Sequence, residues 1–339
     1  MKNNKRLILI IGIVLLIVLS VVLFFTMPSK KGTSVTYDQL TLISPISDAS
    51  KIEEVFSDDA LTGENFAASD KGICFVDKNG YPSFYSLQGS KTVKLSGRAI
   101  PSEATKVVST GSSCLFQFIG TSENTLYSYS GTEFTAQDYE TTGPIDVNQN
   151  LYILPQENSF TVLDGNFEKV SEIKNSGDIA GVAPVSSSEI FAVSGYDGEA
   201  ESGKITFTSG GQAKDLGAVS KVLALKANKN YALLVYQQGD STEAKLIDRT
   251  GKVITTIQGV DPSSVVVAEG GFYFATKPGS MGEVDNQSNL LGFVSNSGKI
   301  ISYLSSVDET TNQFSISGLY HVGDYLYFVE DFSSKRIKI

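Results

Sequence analysis

Residues 230–259 read NYALLVYQQGDSTEAKLIDRTGKVITTIQG. Three apolar or alternating runs stand in this stretch, at residues 231–236, 244–247 and 253–257, and the polar connectors QQGDSTE and DRTGK separate them. Runs of that length bounded by Gly, Asp and Ser read as strands joined by tight turns. With VLALKANK ahead of it, the unit predicts four short antiparallel strands.

Six further stretches follow the same plan. A small polar turn precedes an apolar run at ICFV, CLFQF, LYIL, IFAV, YALLVY, FYFA and YLYFV. The first residues of these runs are Ile73, Cys114, Leu151, Ile190, Tyr231, Phe272 and Tyr325, spaced by 41, 37, 39, 41, 41 and 53 residues. A Gly-bearing turn recurs later in six of the seven units, at SLQGSK, SYSGTE, VLDGNFEK, FTSGGQAK, IDRTGK and VSNSGK. Glycine there supplies the positive φ of a tight reversal. Four strands at a period near 40 read as propeller blades. The expectation is therefore an all-β chain, a β-propeller of seven four-stranded blades over residues 36–339. The last unit, GLYHVGDYLYFVEDFSSKRIKI, supplies only three strands, and a lone strand at residues 37–44 (YDQLTLIS) is available as its fourth. The 53-residue spacing places an insertion at residues 306–314. Ser50-Lys51-Ile52-Glu53 has capping-box spacing ahead of Ile52, Val55 and Phe56, which predicts one or two helical turns.

The repeats resemble the seven-bladed β-propeller superfamily. Asp248-Arg249-Thr250-Gly251-Lys252, with its flanking strands, is similar to a turn of quinoprotein-type (PQQ-like) repeats. Those repeats usually place a Trp on the outer strand, whereas this chain has no Trp, no Trp-Asp signature and no Asp-box. The resemblance implies a fold and not an activity.

Charge divides the chain unevenly. It holds 27 Lys and Arg against 37 Asp and Glu, but five of the bases (Lys2, Lys5, Arg6, Lys30, Lys31) and none of the acids fall in residues 1–31, leaving the rest at net −15. Such a body repels phosphates, so a nucleic-acid partner is not expected. Residues 7–26 (LILIIGIVLLIVLSVVLFFT) form a charge-free run long enough to cross the ~30 Å hydrocarbon core. A cleaved signal peptide is the competing reading, but the run exceeds the usual ~7–15 residues and FFTMPSKKGTS offers no small-x-small site. The sequence thus predicts a cytoplasmic stretch 1–6, an anchor helix 7–26, a tether 27–35 and an extracytoplasmic body at the cell membrane. Cys74 and Cys114 can form at most one disulfide, and a one-residue register that the sequence leaves open decides whether they meet.

The loops between second and third strands fall on one rim of such a ring, and each carries acid. These are Asp77, Glu123, Glu157, Asp197, Glu199, Glu201, Asp240, Glu243, Glu283, Asp285, Glu330 and Asp331, the candidate partner-binding rim. The opposite rim's turns carry Lys91, Lys169, Lys214, Lys252 and Lys299. Asp197-x-Glu199-x-Glu201 lacks the remainder of an EF-hand loop, so no metal and no cofactor are expected. The only histidine, His321, sits on an expected inner strand as a packed or channel-lining side chain, which excludes His-based triads and multi-His metal sites. No P-loop, G-x-S-x-G or G-x-G-x-x-G helix opening occurs, and no catalytic residue is assigned. The reading is a membrane-anchored scaffold for an envelope protein partner; the alternative is glycan binding, or glycoside chemistry by carboxylates at the channel mouth.

Overall fold

A computed structural model of the chain describes residues 34–35, 52–120, 124–174, 179–194, 204–209, 212–218, 221–276, 290–305 and 316–339. Two strands come first, β1 (Ser34–Val35) and β2 (Ile52–Ser57). The first sheet follows as β3 (Phe66–Ala68), β4 (Gly72–Val76), β5 (Pro82–Ser86) and β6 (Lys91–Lys94). The second is β7 (Ala104–Ser109), β8 (Cys114–Ile119), β9 (Asn124–Tyr129) and β10 (Phe134–Gln137). The third is β11 (Asp146–Asn148), β12 (Leu151–Pro155), β13 (Ser159–Leu163) and β14 (Lys169–Lys174), and the fourth β15 (Ile179–Pro184), β16 (Ile190–Ser194), β17 (Lys204–Ser209) and β18 (Gln212–Ala218). The fifth holds β19 (Lys221–Ala227), β20 (Tyr231–Gln238), β21 (Ser241–Asp248) and β22 (Val253–Gln258). The sixth holds β23 (Val260–Ala268), β24 (Gly271–Thr276), β25 (Leu290–Ser295) and β26 (Ile300–Ser305). The closing sheet joins β27 (Ser317–Val322), β28 (Tyr325–Glu330) and β29 (Ser333–Lys338) to β2. Six sheets have four strands; the fifth has a further one, because β1 lies parallel on β22.

This is an all-β propeller of four-stranded blades. Its second strands are the seven apolar runs of the sequence, and each lies between two neighbouring sheets, so both faces of β4 and β24 are buried throughout. That double burial is why these runs are continuously apolar rather than alternating. Every gap between consecutive sheets holds one core cluster. Phe84, Phe116 and Phe118 fill the first gap, Leu115, Tyr152 and Leu163 the second, and Leu233, Phe272 and Phe274 the fifth. The cluster of Phe66, Phe75, Tyr327 and Val329 joins the closing sheet to the first, which completes the ring.

The closing strand is β2, antiparallel to β29. Residues 52–57 are thus a strand and not the expected helical turns. The register of β2 on β29 shifts between Glu54 and Phe56. A bulge of this kind adds a residue and resets which side chains point inward. Ile52, Val55 and Phe56 all reach the core, with the Phe56 ring stacked 4.6 Å from Tyr85, and their spacing mimics one face of a helix. The fourth place in the closing sheet is thus taken by β2 and not by the strand expected at residues 37–44. That segment, the insertion at 306–314 and the anchor at 7–26 lie outside the described residues. Among the described residues no helix is long and apolar enough to cross a membrane.

Cys74 and Cys114 form a disulfide between β4 and β8, with Cα atoms 6.5 Å apart and both residues buried. It ties the first sheet to the second inside their shared cluster. The 40-residue separation implies a loop-entropy contribution of about 4 kcal/mol. Cys74→Ala/Cys114→Ala is expected to lower the urea midpoint markedly, and reduction of the native protein should reproduce the loss; an unshifted midpoint for both would contradict the crosslink.

Two glycines open second strands at equivalent points. A Cβ on Gly72 would stand 2.1 Å from the Tyr85 carbonyl oxygen and 2.6 Å from the Phe84 ring, and one on Gly271 at the same two distances from Val294 O and the Phe293 ring. The third strand's aromatic ring occupies the space that a side chain would need. Gly72→Ala and Gly271→Ala should each destabilise by about 1–3 kcal/mol. Gly89→Ala, whose Cβ would meet nothing within 4 Å, should stay within about 0.5 kcal/mol in the same unfolding assay.

Candidate functional site

Sheet connectivity gives the ring two unlike rims. The front rim carries the loops from second to third strands and the links from one sheet to the next. The back rim carries the turns from first to second and from third to fourth strands.

The candidate acids among the described residues fall on the front rim, but they are not alike. Asp77 is committed to its own loop: its Oδ1 accepts hydrogen bonds from Asn79 N (2.9 Å) and Tyr81 N (3.0 Å), and Lys94 Nζ lies 3.8 Å from Oδ2. Lys94 also sits 3.4 Å above the Tyr81 ring. Glu243 lies within β21, where it accepts from the Tyr236 hydroxyl and from Gln258 Nε2 at 2.6 Å. Burial, reinforced by the Glu243 carboxylate, pushes the Tyr236 phenol far above its ordinary value. Glu330 is buried and accepts from Lys335 Nζ at 2.7 Å. Glu157, Asp240 and Asp331 are exposed. Glu123, Asp197, Glu199, Glu201, Glu283 and Asp285 lie outside the described residues. Of the described acids, three therefore build the rim and three face solvent from it.

Asp331 brings with it a residue that sequence reasoning passed over. Glu330 pairs with Ser333 across a two-residue turn, and both turn residues, Asp331 (φ 49°) and Phe332 (φ 59°), are left-handed. Such turns ordinarily recruit Asn-Gly, because a side chain is strained at positive φ. Phe332 is also 57% exposed, the most of any large apolar residue described. Its carbonyl accepts from Asp58 N at 3.1 Å, which fixes the hairpin to the link between closing and first sheets. The signal was present in the sequence only as EDFSS, a turn that places an aromatic residue where glycine or asparagine is usual.

The inner strands enclose a central cavity of about 960 Å³. Its wall mixes polar and apolar surface in similar measure, with Glu64, Lys106, Asp146, Lys226 and His321 among its ionisable side chains. Lys226 is buried and reaches from the fifth sheet to the third, with Nζ 2.5 Å from Asp146 Oδ1 and 2.6 Å from the Val147 carbonyl. Beside it, Asn148 donates to Pro184 O (2.7 Å) and Ala227 O (2.9 Å) and accepts from Ala227 N (2.8 Å). These bonds strap the third sheet to the fifth across the edge of the fourth. The Tyr320 hydroxyl donates to Val107 O at 3.0 Å and so links the closing sheet to the second across the first. A buried ion pair needs such added hydrogen bonds to offset the desolvation of its charges. Lys226 was legible as one charge inside the apolar inner run VLALKA, whereas its partner was not.

His321 lines this cavity on β27, edge-on to Tyr273 with ring centroids 5.3 Å apart. Burial pushes its imidazole below the ordinary value, against the opposing pull of the Gly323 and Val267 backbone and the Asp324 charge. Among the described residues no group of three His, Cys, Asp or Glu side chains is placed to hold a metal ion. The sign of the pH effect follows from linkage. The unfolded chain takes up the His321 proton near pH ~6.5 and the native protein only at lower pH, so stability falls as pH drops through that window. Wild type should therefore lose stability between about pH 7.5 and pH 5.5, and His321→Gln should flatten that slope in parallel urea titrations.

No described protein family matches the sequence, and no curated protein is significantly similar to it. Solved structures do share the fold. A catalytically inactive virginiamycin B lyase from Staphylococcus aureus, solved with quinupristin, superposes with a TM-score of 0.51 at 14% identity, covering 85% of this chain and 99% of the lyase. YCF48 bound to the D1 peptide superposes with a TM-score of 0.51 at 10% identity, covering 87% of this chain and 99% of that one. Both likenesses are of fold.

Proposed function

We propose that the chain is a single-pass, membrane-anchored propeller whose body lies outside the cytoplasm and acts as a protein-binding scaffold of the cell envelope. On this reading all seven sheets are blades of one ring, the five-stranded sheet being a blade that has taken on β1. Residues 7–26 supply the anchor. The observation that carries the binding role is the Asp331–Phe332 hairpin. It displays an aromatic side chain on a rigid rim at a backbone conformation that costs on the order of 1 kcal/mol. Exposed aromatics of this kind are the usual centres of protein interfaces. Glu157 and Asp240 add exposed acid to the same rim, which suits a partner with a basic surround. YCF48, solved with a peptide bound, is a precedent for a propeller that holds a polypeptide.

The disulfide supports the extracytoplasmic placement, because such bonds persist in oxidising compartments and are rare in the cytosol. Glycoside chemistry is the weaker alternative, since Asp146 in the channel is already held by Lys226. The test is crosslinked capture from native membranes with the full-length wild type and with Asp331→Asn/Phe332→Gly. The wild type should retain a reproducible set of envelope proteins that the variant loses. Glycine suits φ > 0, so the variant should fold at least as stably as the wild type. An unchanged protein set from a folded variant would exclude this hairpin as the binding centre, and capture of glycan without protein would replace the scaffold reading.

A further inference from the structure

The back rim is not uniform, and its unusual corner lies where the N-terminal segment meets the ring. β1 runs parallel to β22 with Ser34 opposite Thr256 and Val35 opposite Ile257, so the chain ahead of Ser34 points toward the back rim of the fifth sheet. β2 is antiparallel to β29 as the outer strand of the closing sheet, and it too enters the ring from the back.

Lysines converge on this corner from three sheets. Lys252 stands in the turn before β22, and Lys229 in the turn before β20, both exposed. Lys214 comes from the fourth sheet and packs over the same turn, since a Cβ on Gly251 would lie 2.5 Å from Lys214 Cβ. Lys299 follows the third-to-fourth-strand turn of the sixth sheet, which lies against β22: a Cβ on Gly298 would stand 3.0 Å from Ile254 Cγ2. Among the described residues none of these four lysines forms a salt bridge. Arg249 completes the set, paired with Glu189 at 3.0 Å, and its Nε donates to Lys229 O at 2.6 Å. The neighbouring acid Asp248 is spent on its own turn, accepting from Thr250 N (2.8 Å), Thr250 Oγ1 (2.6 Å) and Lys252 N (3.0 Å). Glu269, in the next first-to-second-strand turn, is a further acid on this side of the ring. The corner is thus locally cationic on a body of net −15.

We infer that this lysine corner of the fifth sheet's back rim rests on an anionic lipid surface, with the acidic front rim turned away from the membrane. The inference rests on reading residues 7–26 as the anchor. Only residues 27–33 separate that anchor from β1, which is roughly 23 Å when fully extended. Lys30 and Lys31 within them add charge of the same sign. So short a leash lets the corner come within a Debye length of the headgroups, where lysine is attracted, while the acidic remainder is kept away by repulsion. The same geometry leaves Phe332 and the exposed front acids free for a partner approaching from the far side.

The experiment uses full-length protein in phosphatidylcholine vesicles containing a quarter phosphatidylglycerol. A single reporter thiol is introduced as Ser297→Cys on the back rim or Asp240→Cys on the front rim; Cys74 and Cys114 stay unlabelled in their buried disulfide. Quenching of a bimane label by headgroup-nitroxide lipid should be roughly threefold stronger at position 297 than at 240. Replacing Lys214, Lys229, Lys252 and Lys299 with Glu, or using phosphatidylcholine alone, should remove most of that difference. Equal or reversed quenching in protein that floats with the vesicles overturns the orientation while leaving the anchor intact. Protein that does not float with the vesicles overturns the anchor reading, and the orientation with it.

Discussion

The structure depends on one constraint: a sheet with two apolar faces cannot stand alone. Each second strand here is buried on both sides, so each sheet needs a neighbour before it and another after it. A finite stack satisfies this only by bending into a ring. That requirement explains why the first and closing sheets share a cluster built on Phe66, Phe75 and Tyr327, and why β2 is recruited to complete a sheet otherwise made from the other end of the chain. The inner strands are then pressed around a common axis, where Lys226, Asn148 and Tyr320 reach across an intervening sheet to bond with the next one.

Most of this architecture was legible because burial had stripped polar residues from one strand in four at a steady spacing. What misled was local geometry. Ile52, Val55 and Phe56 point inward because of a bulge, and no residue in IEEVFS announces one. The disulfide depended on register between separate sheets, which a single sequence does not encode in any short pattern. The candidate site was legible in position and not in role. Loop placement put Asp77, Glu243 and Glu330 on the front rim, yet their hydrogen bonds spend them on the rim itself. Phe332 escaped because an exposed aromatic resembles any other aromatic until its burial is known.

The two rims differ in how freely they can change. The back rim is made of tight turns whose backbone bonds leave little freedom, as at Asp248–Gly251 and Ser295–Gly298. The front rim holds the sheet-to-sheet links and the loops from second to third strands, and there length and composition vary from sheet to sheet. Variation at one end of a rigid ring allows a recognition surface to change without touching the core.

The pairing of β2 with β29 also governs when this protein becomes itself. Glu53 and Arg336, bonded across that seam at 2.8 Å, are 283 residues apart in the chain. During synthesis the strand that closes the ring emerges early and waits, unpaired, until its partner has been made. At ~5–20 residues per second that interval is on the order of tens of seconds. Throughout it the first sheet lacks the cluster that should cover Phe66 and Phe75, and an apolar sheet face stands open to any other strand nearby. Sheet contacts between neighbours form locally and early, whereas the seam is a single event of very high contact order. The slow step of folding therefore belongs to the end of the process, and the period of greatest exposure to misassembly is set by the length of chain between two short strands.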